Sequence, residues 1–346
     1  MKILVDITHP AYAHFYRYAI QRWQQDDHDV LITSRAKDIT QDLLNEFGFD
    51  HIPLGRAKSG FVGLGLELVD RARRLQAIVS DFQPDVATAA AGTFLVYGTL
   101  FRRIPNVIFY DTEHDVISNT ITYPLATVVI TPRSYNRNVR KKQIRYNGYH
   151  SLAYTHPSVF TPDPTVLAEE GLQPGEPFTI LRLVNWKAVH DFGDYGVTNL
   201  DPIVDVLSQY GRVVISSEDP LPDHLKKHEL KGPRTNMLHL QAFAQLFFGE
   251  SATMCSECAM LGTPAIFLST SRRGYIDELQ ARHGMVFAFH DPNTGQEEAL
   301  SQARQLLSAP DTAALWQQKR EKMLSELIDV SEFIYTMVLR YGDQKS

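Results

Sequence analysis

The first half of the chain alternates short apolar runs with longer stretches in which apolar residues recur at helical spacing. The run over 2–7 is apolar and ends in a polar loop, which predicts a buried strand. The stretch over 12–24 carries Phe15, Ala19 and Trp23 at four-residue spacing, which predicts a helix with one packed face. The same reasoning predicts strands over 29–33, 51–54, 85–89, 106–110 and 127–131, helices over 39–47, 64–82 and 93–101, and a helical turn ending at 123–126. Such alternation is typical of a parallel sheet with helices on both faces.

A proline-rich segment separates this half from a second one with the same alternation. Five prolines fall within 155–177, and because proline interrupts helices and strands alike, we predict a linker there. The pattern beyond it predicts strands over 178–184, 212–216, 245–248 and 264–268, and helices over 201–209, 253–261, 297–307, 311–327 and 331–341. The chain is therefore predicted to be an α/β protein of two Rossmann-like, doubly wound domains, 1–154 and 178–346, the second ending in a helical tail.

The segment over 245–268 combines several features of an anion-binding site. Its predicted order is strand, small-residue turn, helix and strand, and Gly262 stands where the helix should end. Ser251 and Ala252 let a ligand approach the backbone, and the free N–H groups of a helix start favour phosphate. Glu257 lies one turn farther, where its carboxylate can reach a ribose diol. The alternative is an ordinary crossover with a solvated glutamate.

Three loops of the first half follow predicted strands, and parallel sheets bind ligands at the carboxyl ends of their strands. These loops cover 9–14, 90–92 and 111–119. His9 and His14 flank the exit of the first strand, and His14 is a candidate general base, with a packing or capping histidine as the alternative. Asp111, Glu113 and His114 form a titratable cluster after another strand, with a solvated acidic turn as the alternative.

Arg182 begins a second group of candidate ligand contacts, in the second domain. It lies in the strand predicted over 178–184, and its guanidinium could pair with a diphosphate in bidentate fashion. A structural salt bridge is the alternative. His190 and Asp191 lie in the loop that follows, and Ser217 and Glu218 follow the next strand at the same edge.

Composition narrows the classes of function. Hydrophobic residues make up 44% of the chain and charged residues 21%, which is ordinary for a globular protein. The net charge of −6 lacks the basic signature of nucleic-acid binding. No apolar stretch reaches the length of about 18 residues that a membrane span needs. The first residues, MKILVDITHP, predict a strand and a loop and do not form a signal peptide, so we predict a cytoplasmic protein.

No metal and no cofactor are predicted. Cys255 and Cys258 have the spacing of a redox pair, but they do not follow the first strand of their domain, so packing cysteines are favoured. His224 and His228 have the spacing of a helical metal pair. Two lysines stand between them and the glutamate of the zinc-protease motif is missing, which favours a solvated basic turn.

Several stretches resemble known families. The segment GESATMCSECAMLGTPAIFL resembles the donor-nucleotide motif of UDP-N-acetylglucosamine 2-epimerases and of the peptidoglycan N-acetylglucosaminyltransferase. That motif has two glycines after its serine, where this chain has Ala252 and Thr253; threonine adds a hydroxyl that could contact phosphate. Two doubly wound domains facing a cleft resemble the GT-B glycosyltransferase architecture. Over nearly its full length the chain resembles the family called domain of unknown function 354, through MKILVDITHPAYAHF, FYDTEHDVISNTITYPLATVVITP, ILRLVNWKAVHD and GESATMCSECAMLGTPAI.

The resemblance implies a metal-independent glycosyltransferase that takes a sugar from a nucleotide-sugar donor, with UDP as the expected nucleotide. A glycan or lipid-linked acceptor and a role in cell-surface polysaccharide synthesis are the matching expectations. The implied donor-binding residues are Arg182, His190, Ser251, Ala252, Thr253, Met254 and Glu257. The implied catalytic residues are His14 as the base, Glu113 as its runner-up, and Asp111.

Two other functions remain open. A UDP-sugar 2-epimerase would use acids to eliminate UDP and add it back, and Glu113 gains weight because epimerase relatives carry functional acids in the corresponding loop. A non-catalytic sugar-nucleotide binding protein would share the donor motif alone.

The stretch over 55–75 joins glycines and apolar residues to five basic residues. In GT-B enzymes that act on lipid-linked acceptors, such a patch can touch the membrane surface. A flexible acceptor loop followed by a solvated helix is favoured, with a peripheral contact at the inner membrane face as the alternative.

Overall fold

The computed structural model describes residues 1–56, 60–113, 116–184 and 196–343. The backbone divides into two compact units, one formed by Met1–Val159 with the chain from Ile328 onward, the other by Phe160–Leu327. Each unit is built on its own parallel sheet with intervening helices, so the predicted α/β class with two doubly wound domains is confirmed.

The sheet of the first unit has seven described strands. They are β1 (Lys2–Ile7), β2 (Asp29–Ala36), β3 (His51–Arg56), β4 (Val86–Ala90), β5 (Asn106–Phe109), β6 (Val128–Pro132) and β7 (Gln143–Tyr146). The helices among them are α1 (Pro10–Gln25), α2 (Thr40–Glu46), α3 (Gly60–Phe82), α4 (Thr93–Thr99), α5 (Val116–Thr122) and α6 (Leu152–Thr155). The parallel order is β3-β2-β1-β4-β5-β6-β7. Because the chain changes direction across the sheet between β1 and β4, the ligand crevice of this unit is expected at their carboxyl ends.

The helix α1 begins directly after β1 because its first turn is capped. The Nδ1 atom of His9 accepts a hydrogen bond from the Ala11 amide at 3.2 Å, and Pro10 occupies a position that needs no N–H donor. Phe15, Ala19 and Trp23 are all buried, which confirms the predicted packed face. His9 therefore caps α1, which is the alternative to a catalytic role that the sequence left open.

A buried ion pair fixes α3 to the sheet of the first unit. Asp6 on β1 and Arg71 on α3 are each 1% exposed and form a charge-assisted contact through Oδ1 and one guanidinium nitrogen. The same Oδ1 accepts from Thr33 Oγ1 at 2.7 Å. Arg71 also donates to the carbonyls of Ser34 and Leu54, at 3.1 and 2.7 Å. This network ties the C-terminal parts of β1, β2 and β3 to one helix.

The sheet of the second unit has five described strands. They are β8 (Phe178–Leu183), β9 (Arg212–Ser217), β10 (Leu246–Gly249), β11 (Ala265–Leu268) and β12 (Val286–Phe289). The helices of this unit are α7 (Val166–Glu169), α8 (Leu200–Leu207), α9 (Met237–Phe243), α10 (Ala252–Leu261), α11 (Gly274–Glu278), α12 (Gly295–Ser308) and α13 (Thr312–Glu326). The parallel order β12-β11-β10-β8-β9 reverses between β8 and β10, so the crevice of this unit is expected at their carboxyl ends.

The last helix, α14 (Val330–Asp343), belongs to the first unit, whereas the sequence pattern placed 178–346 in one domain. Its Val330, Ile334 and Val338 are buried, and Gly342 lies so close to Met1 that a side chain would collide with it. Hydrophobic packing therefore returns α14 to the first unit, and the local periodicity of the sequence does not indicate this return.

Smaller differences concern short elements. The strands β7 and β12, of four residues each, were not predicted, and the predicted linker over 155–177 contains the helical turn α7. No described helix has the length and apolar content needed to cross a bilayer.

Candidate functional site

The N-terminus of α10 lies at the switch point of the second sheet, directly after β10. Ser251 caps the helix, because its Oγ accepts a hydrogen bond from the Met254 amide at 3.3 Å. The amides of Ala252 and Thr253 have no acceptor among the described residues and remain for a ligand. The Met254 amide, predicted to bind the diphosphate, is instead occupied by the cap. Gly262 ends the helix in the left-handed region at φ 83°, as predicted.

Glu257 lies one turn inside α10 and is 8% exposed. It is thus a buried carboxylate on the helix that starts the crevice, and not the solvated glutamate of the alternative. A buried carboxylate near a cluster of N–H donors is chemically suited to a polar ligand such as a diol. Its role with a ribose stays a prediction.

Cys255 and Cys258 are free, fully buried thiols on either side of Glu257. Burial raises the pKa of both thiols well above the usual range, and the Glu257 charge raises it further. Because the reactive form of cysteine is the thiolate, these residues are inert and serve packing, as favoured by the sequence.

Arg182 lies on β8 beside the α10 crevice, opposite Gly249 of β10. A side chain at Gly249 would collide with the Arg182 carbonyl, so only glycine allows the two strands to approach here. The Arg182 guanidinium donates to Ser216 Oγ at 3.0 Å and pairs with Glu218 at 2.5 Å. The structure therefore contains the structural ion pair weighed as the alternative, and a diphosphate would compete with Glu218 for the guanidinium.

Glu250 is an acidic residue of this edge that sequence reasoning missed. It follows β10 directly and is 6% exposed. Its two carboxylate oxygens accept hydrogen bonds from the amides of Val184 and Val197, at 2.8 and 2.6 Å. Glu250 thus fixes the backbone at the ends of the stretch between β8 and α8. An acid directly after a buried apolar run was the signal that could have identified it.

Hydroxyl and basic groups follow β11 at the same edge and were also missed. Ser269 Oγ accepts from the Ser271 amide at 3.1 Å, and Arg273 donates to the Ser271 hydroxyl. His290, after β12, contacts the Ser269 carbonyl at 2.6 Å through Nδ1. The neighbouring Arg272 is exposed. Polar groups therefore follow the C-terminal ends of β9, β10, β11 and β12, and Arg182 lies near that of β8.

His14 lies on α1 in the first unit and is half-buried. Its ring centroid is 5.2 Å from that of Tyr154 and 5.4 Å from that of Phe47, with an edge-on geometry to Phe47. The packing alternative is thus present in the structure, while the partial exposure leaves the imidazole reachable. Its role as a base stays a prediction.

Asp111 and Glu113 follow β5 and hold different partners. Glu113 Oε1 accepts from the Asn136 amide at 3.1 Å. Asp111 Oδ2 lies 4.0 Å from Nδ1 of His150, a residue that sequence reasoning missed because it depends on the unpredicted strand β7. His114 lies outside the described residues, as does His190.

His150 is an almost buried imidazole that belongs with Asp111. Its ring stacks on Phe15 of α1 at a centroid distance of 4.3 Å, and its Nδ1 is 3.0 Å from the Tyr146 hydroxyl. Burial lowers the pKa of His150, and the Asp111 carboxylate opposes this. The imidazole is therefore neutral near pH 7 and can offer one N–H toward Tyr146 and Asp111.

The described residues show how the side chains that could ligate a metal ion are distributed. Among them, no three His, Cys, Asp or Glu side chains are grouped to hold a metal ion. His224 contacts Asp201 at 2.8 Å, while His228 contacts the Val213 carbonyl at 3.3 Å, so the two histidines have separate partners.

Solved structures share this fold at low sequence identity. A UDP-GlcNAc 2-epimerase from Neisseria meningitidis, solved with UDP-GlcNAc, superposes with a TM-score of 0.71 at 15% identity, over 98% of this chain and 100% of that chain. A UDP-GlcNAc 2-epimerase from Methanocaldococcus jannaschii gives 0.67 at 13% identity, over 99% and 100%. The spinosyn forosaminyltransferase SpnP gives 0.63 at 14% identity, over 99% of each chain. The predicted GT-B resemblance is therefore confirmed at the level of the fold.

Sequence comparison adds a relative and a family. "Uncharacterized protein MJ0665" of M. jannaschii is 22% identical over 142 residues, which are 41% of this chain and 42% of that relative's length. The model of the family described as "Protein of unknown function (DUF354)" matches residues 1–342, and the chain belongs to this family.

Proposed function

We propose that the chain is a sugar-nucleotide enzyme of GT-B fold that transfers a sugar from a nucleotide-sugar donor, with UDP as the nucleotide, to a glycan or lipid-linked acceptor. The observation that carries the proposal is the capped start of α10 at the switch point between β8 and β10. Two free amides there suit phosphate, and the buried Glu257 lies one turn away. The epimerases and the transferase of the same fold support a sugar-nucleotide substrate.

The donor would be held by the second unit. Its diphosphate would accept hydrogen bonds from the amides of Ala252 and Thr253, with Ser251 fixing their geometry. Arg182 would exchange Glu218 for a phosphate oxygen, which conserves one charge-assisted pair. Helix dipole and guanidinium would then stabilise the negative charge on the leaving diphosphate, so the proposed reaction uses no metal.

The acceptor would be activated by the first unit. His14 is half-buried, and its imidazole would take the proton of the attacking hydroxyl. Glu113 is the runner-up, although its carboxylate already accepts a backbone N–H.

A second candidate is a UDP-sugar 2-epimerase, favoured by one observation. Asp111 stands beside a neutral, nearly buried His150, and paired groups with differing environments are typical of proton transfer. Incubation with UDP-GlcNAc alone separates the two candidates: an epimerase forms a C2 epimer of the sugar without any acceptor, whereas a transferase needs one. A protein that binds UDP-GlcNAc but catalyses neither epimerisation nor sugar transfer would be the non-catalytic binding protein.

Glu257→Ala is expected to weaken UDP binding about tenfold to a hundredfold. Loss of a charged acceptor for the ribose hydroxyls should cost roughly 1.5 to 3 kcal/mol. Calorimetric titration with UDP measures the change. Glu297→Ala, which removes an exposed glutamate from the first turn of α12, is the matched control and should leave the affinity unchanged.

Two results would refute the donor site. If Glu257→Ala bound UDP as tightly as the parent protein, the proposed contact between Glu257 and the ribose would be wrong. A thermal-shift screen in which UDP, GDP, CMP and TDP sugars all leave the melting point unchanged would remove nucleotide binding by α10 altogether, because a ligand of the folded state must raise it.

We also propose that the surface of α3 contacts the inner membrane face. Val62, Leu66 and Val69 lie on one helix face and are 78%, 60% and 50% exposed, and the exposed Arg73 and Arg74 follow within a turn. Sedimentation with phosphatidylglycerol vesicles should capture the protein. The Val62→Asp/Leu66→Asp variant should stay in solution, and equal capture of both proteins would contradict the contact.

A further inference from the structure

We propose that the second unit carries another anion site, at the start of β9, that takes a small ligand bearing a phosphate group. A pocket of about 310 Å³ lies there, which is within the size range of small-molecule sites. Its titratable lining residues are Glu170, Arg212, Lys227, His228, Glu229 and Lys231. Three basic side chains therefore line the pocket with two carboxylates, and Arg212 also lies 3.7 Å from the carboxylate of Glu176.

The pocket is distinct from the proposed donor site. Arg212 is the first residue of β9 and pairs with Phe178 at the start of β8, so the pocket lies at the amino edge of the sheet. The α10 terminus follows the last residue of β10, at the carboxyl edge. A ligand in this pocket would thus be bound independently of the nucleotide.

One of the two carboxylates is already satisfied by the backbone. Glu170 is 2% exposed, and its oxygens accept hydrogen bonds from the amides of Lys231 and Gly232 at 3.0 and 2.7 Å. These donors stabilise its charge, so it does not need the lysine side chains. Arg212 supports the wall by donating to the carbonyls of Gly171 and Glu170, at 2.6 and 2.9 Å.

Among the charged groups that line the pocket, the ammonium groups of Lys227 and Lys231 can bind a ligand. Both residues are exposed, and neither Nζ atom has a hydrogen bond or an ion pair with any described residue. The nearby Lys226 differs, since its ammonium pairs with Asp223 at 2.6 Å and it does not line the pocket. Two unpaired cations on one small cavity favour a multiply charged oxyanion over a neutral ligand.

The pKa of His228 depends on the charges that line the pocket. Its Nδ1 lies 3.3 Å from the Val213 carbonyl, which leaves Nε2 as the nitrogen that takes up a proton. Burial lowers the pKa of His228, the hydrogen bond to the Val213 carbonyl opposes this, and the charges of Lys227 and Arg212 lower the pKa further. A bound anion opposes those charges and raises the pKa. By linkage, an anion of fixed charge binds more tightly as the pH falls through the titration of His228.

The test uses inorganic phosphate as the probe and the full chain with ¹³C-labelled histidine, in which His228→Gln assigns the His228 signal. Phosphate should shift that signal saturably and raise its titration midpoint, with and without saturating UDP. The Lys227→Met/Lys231→Met variant should bind phosphate at least tenfold more weakly. Lys226→Met, which removes a neighbouring paired charge, should behave like the parent protein.

Three outcomes would overturn the site. The first is a His228 signal that phosphate does not move. The second is an equal phosphate response in the double lysine variant. The third is a response that UDP abolishes in the parent protein but not in Glu257→Ala, because the His228 signal would then follow the occupancy of the donor site.

Discussion

Asp6→Ala is expected to lower the free energy of unfolding by about 3 to 5 kcal/mol, the usual cost of leaving a buried charge without its partner. Arg71 is 1% exposed, so the substitution leaves its guanidinium buried without a carboxylate partner. Its contacts to the carbonyls of Ser34 and Leu54 remain, but they carry no compensating charge. Urea denaturation, followed by a signal from the first unit, measures the change in the free energy of unfolding.

The chain offers a matched control on the same helix. Asp70 and Arg74 form an i,i+4 ion pair at 3.1 Å with both side chains 54% exposed, so Asp70→Ala should cost less than about 1 kcal/mol. The Asp6→Leu/Arg71→Met variant, which removes both charges, should recover much of the loss. Equal effects of Asp6→Ala and Asp70→Ala would contradict the role of the buried pair.

His14→Gln is expected to reduce turnover by about two to four orders of magnitude while UDP affinity stays unchanged, if this imidazole is the general base. Glutamine keeps a polar side chain of similar size between Tyr154 and Phe47, so the packing of α1 should survive. The measurement is the rate of sugar transfer or epimerisation at saturating UDP-GlcNAc, alongside calorimetric titration with UDP.

Two comparisons make this result decisive. His224→Gln changes an exposed histidine of the second unit that pairs with Asp201, and should leave turnover intact. Asp111→Asn and Glu113→Gln test the other acids of the first unit. Full turnover in His14→Gln, with a collapse in either acid variant, would transfer the base to that acid and favour the epimerase mechanism in the case of Asp111.

The sequence predicted those features of the fold that depend on interactions between neighbouring residues. The apolar run of β10, the small-residue turn that contains Ser251 and the stop at Gly262 were all predicted, because each depends on near neighbours only. The packed face of α1 followed from its spacing for the same reason. These features suffice to position the proposed donor site.

Features that depend on distant residues were missed. The sequence placed Glu218 at the same sheet edge as Arg182 but did not identify it as the partner of Arg182. Glu250 gains its role from amides more than 50 residues away. His150 meets Asp111 only because β7 lies beside β6 in the sheet. Such pairings are set by the tertiary fold, which single-sequence periodicity does not contain.

The return of α14 to the first unit has a consequence for the order in which the protein is made. A chain emerging from the ribosome completes Phe160–Leu327 before it delivers Val330–Asp343, so the unit that is synthesised first is finished last. Until then the surface that α14 covers is exposed, and the nascent first half is a natural client for chaperones. For the same reason, an expression clone cut within 155–177 would deprive the N-terminal piece of one of its own helices.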